Sequence, residues 1–432
     1  MSEREGTERV GALVDDLFRR EAGRLVARLA RILGPAHLDL AEDVVQDALL
    51  KALHHWSHHG TPDDPHAWLV RVARNLAIDR VRRDSRLVRS EPELQAWEAA
   101  SANTASRSPS TEIDEVRDDE LAMMFACCQP ALSREASVAL CLKTVGGFGV
   151  PEIARAFLEN ESTIAQRLVR AKACLRDSGA RLEAPSAIER ESRLPQVRDA
   201  IYFMLNEGLA AHRGEALIRA DLVREALRLA TLLASDARTA TPEVHALAAL
   251  ACFQASRLAA RTDGAGGLLL LQVQDRSKWD RATIARGFEH LRLAAAGAEL
   301  CELHIEAGIA SQHAIAESWE ATDWAAILGW YDLLVARSPS PIVRLNRAVA
   351  VAELRGPDAG LREVEDIERA QALASYHLRP SIKGEFLRRL GRTTEAAACF
   401  REALELCRSG PERAFLQRKL DHVAERTHLE PS

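Results

Sequence analysis

The 432-residue sequence predicts an all-α protein: two small helical domains, the second with a helix-turn-helix, and then a longer domain of helical hairpins. Three observations carry this. Ala, Leu, Arg and Glu dominate while aromatics make up only 5% of the residues, which favours helix over sheet. Apolar residues recur every three or four positions along most of the chain. Gly34-Pro35, Gly60 to Pro65 and Pro185 punctuate the periodic runs where helices would stop and start. With 47% apolar and 28% charged residues, the chain has material for two or three cores.

Taken in order, Val14, Leu17, Phe18, Leu25, Leu29 and Ile32 recur at helical spacing until Gly34-Pro35. A second helix is expected from about Asp39 to Trp56, with Leu40, Val44, Leu50 and Leu53 as its inward set. Gly60 to Pro65 is a loop by its turn chemistry. A third helix runs from Trp68 to Arg83, with Leu69, Val72, Ala73 and Leu76 on one face. These elements form a first domain, 8–89. Residues 90–118 contain Ser-Ala-Asn-Thr-Ala-Ser-Arg-Ser-Pro-Ser, have no period and read as a flexible acidic linker. Helical patterning resumes at 119 and defines a second domain to 180.

After Glu183-Ala-Pro-Ser186 a third, long helical region, 186–425, begins. Near its end, Leu354-Arg-Gly356 with Ala359 and Leu361 resembles Arg389-Leu-Gly391 with Glu395 and Ala396, at an offset of about 35 residues. Ala396, Phe400, Ala403 and Leu404 continue the second copy, and Pro411 is expected to close it. This period suits tetratricopeptide-like helix pairs, hence stacked hairpins. Between Asp236 and Ser318 no clear period is visible.

The formal net charge of −6 excludes a uniformly basic nucleic-acid coat but says nothing of local patches. No apolar run approaches the roughly 18 residues of a membrane span. The charged N-terminus lacks the apolar core of a secretory signal, so a cytoplasmic protein with no membrane partner is expected. None of the eight cysteines is spaced C-x-x-C, and reduced, buried thiols are expected. Gly264 to Gly267 lacks the Gly-Lys-Ser/Thr ending of a phosphate loop, and neither G-x-S-x-G nor H-E-x-x-H occurs. His54, His55, His58 and His59 form i,i+4 pairs that can chelate a metal. Gly60 follows at once, and no carboxylate or thiol completes the set, so a polar helix end is the reading. The expectation is therefore no enzyme, no cofactor and no metal.

Charge is unevenly placed. From His66 to Arg89 seven arginines face only Asp79 and Asp84. Arg71, Arg74, Asn75 and Arg82 stripe another face of the third helix. A solvated basic face would look the same, but clustered guanidinium groups are also what phosphates require. Further on, Val150 to Leu158, a Glu-Asn-Glu turn, then Ser162 to Arg176 have helix-turn-helix proportions. Ile153, Ala154 and Phe157 face inward on the first helix, and Ile164, Leu168, Ala171 and Leu175 on the second. Asn160 or Ser162 can cap the second helix. Thr163, Gln166, Arg167 and Arg170 are then displayed outward near its start, where a recognition helix meets base edges. Helical hairpins often mimic this pattern; the basic helix and the helix-turn-helix in succession are more specific.

Leu40-Ala-Glu-Asp-Val-Val-Gln-Asp-Ala-Leu-Leu-Lys-Ala-Leu53 and Trp68-Leu-Val-Arg-Val-Ala-Arg-Asn-Leu-Ala-Ile-Asp-Arg-Val-Arg-Arg83 resemble region 2 of extracytoplasmic-function sigma factors. Leu132-Ser-Arg-Glu-Ala through Ile164-Ala-Gln-Arg-Leu-Val-Arg-Ala-Lys172 resembles their region 4. Tyr202 to Gly208 and Gln274 to Asp280 look like phrases of a sub-branch with a long tetratricopeptide-like C-terminal extension. The resemblance implies that Asp43, Gln46, Asp47 and Leu50 dock on core RNA polymerase. It implies that Arg71, Arg74, Asn75, Arg82 and Arg83 engage the −10 region of promoter DNA, and that the loop from Ser57 to His66 captures an unstacked base. Thr163, Gln166, Arg167 and Arg170 would read the −35 region. Leu132 to Leu142 would seat the polymerase flap, and Lys172 and Arg176 would touch phosphate or face solvent. The extension implies a regulatory protein partner or an intramolecular contact. A stand-alone helix-turn-helix regulator and a helical interaction scaffold are the competing readings.

Overall fold

The computed structural model describes residues 11, 14, 21–31, 33–83, 119–179, 186–209, 218–263, 267, 269–370, 373–408 and 410–429. For 81–83, 411 and 425–429 it describes the backbone only. The expected linker, 90–118, and the side chains of Arg82 and Arg83 lie outside the described residues. Every long element described is a helix, and the chain falls into two compact units, residues 1–204 and 205–432.

In the first unit, helical residues 21–31 (α1) bury Leu25, Val26, Leu29 and Ala30. Gly34, at φ +83°, ends the run as expected. α2 (Leu38–His59) buries Leu38, Ala41, Val44, Val45, Ala48, Leu49, Ala52 and Trp56, a continuous stripe at helical spacing. Of the inward set expected from the sequence, Val44 is buried and Leu40 half-buried, but Leu50 is 64% exposed and Leu53 37% exposed, while their neighbours Leu49 and Ala52 face the core. The buried stripe runs through Val45, Ala48, Leu49 and Ala52, which turns Leu50 and Leu53 to its edge, and small Ala48 and Ala52 let the helix approach its partners closely. Gly60, at φ +84°, caps α2 by donating to the Trp56 carbonyl at 3.0 Å. α3 (Pro65–Arg83) starts three residues before the expected Trp68. Asp64 Oδ1 accepts from the Ala67 N–H at 2.9 Å and Pro65 opens the first turn.

Helical residues 119–127 (α4) and α5 (Arg134–Thr144) follow, the latter capped by Ser133. α6 (Val150–Ala156) and α7 (Glu161–Asp177) are two helices joined by a tight turn, over the segment expected to be a helix-turn-helix. Ile153, Ala154, Ile164, Leu168, Ala171 and Leu175 are buried as the spacing predicts; Phe157 is half-buried. Asn160 occupies the N-cap position of α7 without a side-chain cap bond. The turn is a Schellman closure: Glu159 N–H bonds the Ala154 carbonyl at 2.8 Å, and Leu158 N–H bonds that of Arg155 at 3.0 Å. Leu158 holds the left-handed position at φ +55°, where glycine is usual.

α8 (Ala187–Leu209) begins in this unit. Arg134 Nε donates to Asp199 Oδ2 at 2.5 Å, and Phe203 stacks on Phe157 at 5.2 Å. The front of α8 therefore packs on the helix-turn-helix, beyond the expected domain end at 180.

In the second unit, α9 (Ala220–Ser235), α10 (Pro242–Ser256), α11 (Arg281–Ala294) and α12 (Glu302–Ile315) pack together, with α10 almost wholly buried among the other three. In the segment without a visible period, the described residues between α10 and α11 include three 3₁₀ turns, at Leu258–Ala260, Leu271–Val273 and Arg276–Lys278. The Gln274 to Asp280 phrase acquires a structural explanation. Arg276 stacks over Trp279 at 4.8 Å and donates to the carbonyls of His313 (2.5 Å) and Ala316 (2.8 Å), satisfying the end of α12.

α13 (Trp324–Arg337), α14 (Pro341–Arg355), α15 (Pro357–Arg369), α16 (Leu378–Arg389), α17 (Thr393–Leu406) and α18 (Gly410–Leu429) pack each on the next. The two glycines of the expected repeat each follow a helix. Gly356 and Gly391 adopt φ +92° and +75° after α14 and α16. Gly360 lets α15 approach α14, where a Cβ would lie 2.6 Å from that of Ala352. Pro411 does not close the second copy: it sits in the first turn of α18, where a missing N–H costs nothing. Among the described residues no helix is long and apolar enough to cross a membrane.

Candidate nucleic-acid interface

Asp43, Gln46, Asp47 and Leu50 lie along one stripe of α2, opposite its buried stripe. Asp43, Gln46 and Leu50 are exposed; Asp47 is half-buried and accepts from Arg80 Nη2 of α3 at 2.8 Å. Exposed Leu50 and Leu53 beside carboxylates give this stripe an apolar centre with an acidic border. A protein partner rather than water is suited to such a surface.

On α3, Leu69, Ala73 and Ala77 fix the helix against the core. That orientation leaves Arg71 and Asn75 exposed and Arg74 half-buried. An open groove of about 700 Å³ runs between α2 and α3 and is lined by Asp47, Leu50, His55, Trp68, Val72 and Asn75, among others. It joins the two candidate surfaces, which the sequence treats as separate. His55 stacks on Trp68 at 5.5 Å, and Trp56 meets Trp68 edge-on at 5.3 Å. Trp68 thus presents a supported ring in the groove, a candidate that sequence reasoning missed. The available signal was a tryptophan at the head of a basic helix in a chain poor in aromatics.

The loop expected to span Ser57 to His66 is shorter: α2 continues to His59 and α3 resumes at Pro65. His54 stacks on His58 (4.7 Å) and His55 on His59 (4.4 Å), so the histidines form a stacked helix end. His66 Nδ1 lies 3.1 Å from Glu21 Oε2. The bond to Glu21 lifts its pKa above the usual imidazole value against the opposing effect of burial, with the Glu21 and Asp64 charges assisting and Arg24 opposing.

Across the helix-turn-helix, Thr163, Gln166 and Arg170 are exposed on one side of α7. Arg167 is drawn back: its Nη2 donates to both Glu159 oxygens at 2.8 Å, and its guanidinium lies over the Phe157 ring at 5.6 Å. Lys172 neither faces solvent nor stands ready for phosphate, because it bonds Asp39 (2.8 Å) and Glu42 (2.7 Å) of α2. Burial opposes its charge, yet these two bonds outweigh the burial and leave its pKa above the ordinary lysine value.

The first domain is covered by the family described as Sigma-70 region 2, which matches residues 17–87. A family of unknown function, DUF6596, matches residues 193–295. An uncharacterized protein of Rhizobium meliloti (strain 1021) is 40% identical over 391 residues, covering 90% of this chain and 91% of that protein. No solved structure matches. The chain belongs to one family with the Rhizobium meliloti protein, and its region 2 makes it a sigma factor of the sigma-70 family, acting with core RNA polymerase and promoter DNA in transcription initiation.

Proposed function

We propose that the chain is an extracytoplasmic-function-type sigma factor with a tetratricopeptide-like C-terminal extension, working in the cytoplasm without enzymatic activity or cofactor. The observation that carries this reading is the helix-turn-helix at Val150–Asp177, with Thr163, Gln166 and Arg170 exposed, in the same compact unit as the region 2 helices. The division of labour is 8–89 for region 2, 90–118 as connector, 119–180 for region 4 and 186–425 for the extension.

In this reading Asp43, Gln46, Asp47 and Leu50 seat α2 on core polymerase. Arg71, Arg74 and Asn75, with Arg82 and Arg83, hold the backbone of the −10 region. An unstacked base in the groove would find the Trp68 ring, since base–aromatic stacking tolerates any sequence. Thr163, Gln166 and Arg170 read base edges of the −35 region, and Arg167 joins them once released from Glu159.

Transcription from a promoter library with core polymerase, plus and minus the chain, tests the proposal. Promoter-specific transcripts that require the chain are expected. A band shift on DNA without polymerase and no transcripts would instead identify a stand-alone regulator. The extension's role, inhibition in cis or support of polymerase binding, is tested by ending the chain after Met204. Ending it after Gly179 would strip the front of α8 from the helix-turn-helix and confound the result.

A further inference from the structure

In the second unit three helix ends converge. His377 stands at the N-cap of α16, Cys407 at the C-cap of α17, and Glu412 in the first turn of α18. Their donor atoms all lie within 4.8 Å of one another. His377 Nε2 is 3.4 Å from Glu412 Oε2, and Cys407 Sγ is 3.8 Å from the same oxygen. Cys407 is 2% exposed, and the His377 and Glu412 side chains are 14% and 21% exposed. Among the described residues His377 Nε2 is buried and makes no hydrogen bond.

A tetrahedral zinc ion with bonds of about 2.0 Å to nitrogen or oxygen and about 2.3 Å to sulfur sets its ligands roughly 3.3–3.6 Å apart. The His–Glu separation matches that edge, the Cys–Glu separation exceeds it by a few tenths of an ångström, and the His–Cys pair, within 4.8 Å, closes onto a metal by rotation of the side chains. One imidazole, one thiol and one carboxylate are the donors of a borderline divalent ion rather than of calcium or magnesium, which take oxygen alone. His377 and Glu412 also line a cavity of about 310 Å³ whose walls are mainly apolar, including Phe386, Phe400 and Phe415. A fourth coordination position facing that cavity would stay open to water or to a ligand.

We propose that His377 Nε2, Cys407 Sγ and Glu412 Oε2 form a zinc-class metal site that ties together the starts of α16 and α18 and the end of α17. On binding, the Cys407 thiol loses its proton to solvent and the thiolate takes up the metal; no electron is transferred. The site is independent of the promoter reading, because it lies wholly in the second unit.

The test uses the full chain, stripped with a chelator and then given zinc alone or cobalt alone. About one tightly held zinc per chain is expected, with a cobalt–thiolate charge-transfer band and a rise in the unfolding temperature of the second unit. Cys407→Ser should abolish the band, and Glu412→Gln should weaken zinc at least ~10-fold. A His54→Ala/His58→Ala variant should change neither, separating the α2 histidines from this site. Should the Cys407 variant fail to fold, X-ray absorption of the zinc-loaded wild type decides the matter. One sulfur with nitrogen and oxygen neighbours supports the site, and a shell without sulfur, or no retained zinc, overturns it.

Discussion

Lys172, on the second helix of the helix-turn-helix, places its Nζ 2.7 Å from Glu42 Oε2 on α2, and Asp39 shares the same ammonium at 2.8 Å. Glu42 stands one position before Asp43, the first residue of the candidate polymerase-docking stripe. Arg24 to Glu120, at 3.5 Å, and Arg31 to Asp119 add further pairs between the region 2 helices and α4. Elements named −35 and −10 lie about 25 base pairs apart, some 85 Å at about 34 Å per turn. If α3 and α7 engage these two elements as proposed, the ion pairs that hold region 2 to the later helices would have to part on the promoter. Lys172→Glu is expected to raise affinity for core polymerase about fivefold, a coupling of about 1 kcal/mol. Equilibrium binding with labelled chain measures this, and unchanged or weaker binding would count against a closed resting form.

The same interface can be opened without changing charge. A Cβ on Gly23 of α1 would collide with the Val145 carbonyl oxygen, which is backbone and cannot rotate away. Gly23→Ala should therefore separate α1 from the end of α5 or cost roughly 1–3 kcal/mol of stability. Chemical denaturation together with small-angle scattering distinguishes the two, and a variant unchanged in both would show that the interface is loose.

Leu50 is exposed on the docking stripe and supports no core. Leu50→Asp should leave the unfolding midpoint within about 0.5 kcal/mol of wild type. Binding to core polymerase should fall by about tenfold or more, as for an apolar anchor lost from an interface centre. Equal affinity for both proteins would remove α2 as the docking helix.

Arg170 is exposed and Arg167 is clamped by Glu159, so the two arginines should behave differently. Arg170→Ala is expected to cost about 1–3 kcal/mol in binding the −35 region and to relax specificity at one base pair. Glu159→Gln frees Arg167, so DNA affinity should rise and its salt dependence steepen by about one phosphate contact. Salt titrations of holoenzyme on promoter DNA report both effects.

Leu158 occupies a left-handed position while 83% exposed, so it pays strain and gains little burial. Leu158→Gly should stabilise the first unit by up to about 1 kcal/mol. A destabilised variant would mean that the exposed leucine packs against something the isolated chain lacks.

His66 supplies a pH dependence of known sign. Its folded pKa is raised, so its pairing with Glu21 stabilises fully below the unfolded value of about 6.5. That contribution is lost as pH rises through the raised folded value. His66→Gln should abolish this part of the pH profile, measured by thermal unfolding between acid and mildly alkaline pH.

The sequence by itself determined the helical class, the buried positions of α6 and α7, the exposed Thr163, Gln166 and Arg170, and the glycines Gly356 and Gly391 that follow α14 and α16. Each rests on local periodicity or on a backbone angle that one residue type tolerates best, and both are written within a few turns of chain. Only the tertiary structure decided which leucine of α2 faces out, that Lys172 closes on Asp39 and Glu42, and that His377, Cys407 and Glu412 meet. Asp39 and Lys172 are 133 residues apart in sequence, and the three donors come from three different helix ends. Contacts of that kind depend on how helices dock, and no local pattern records the docking.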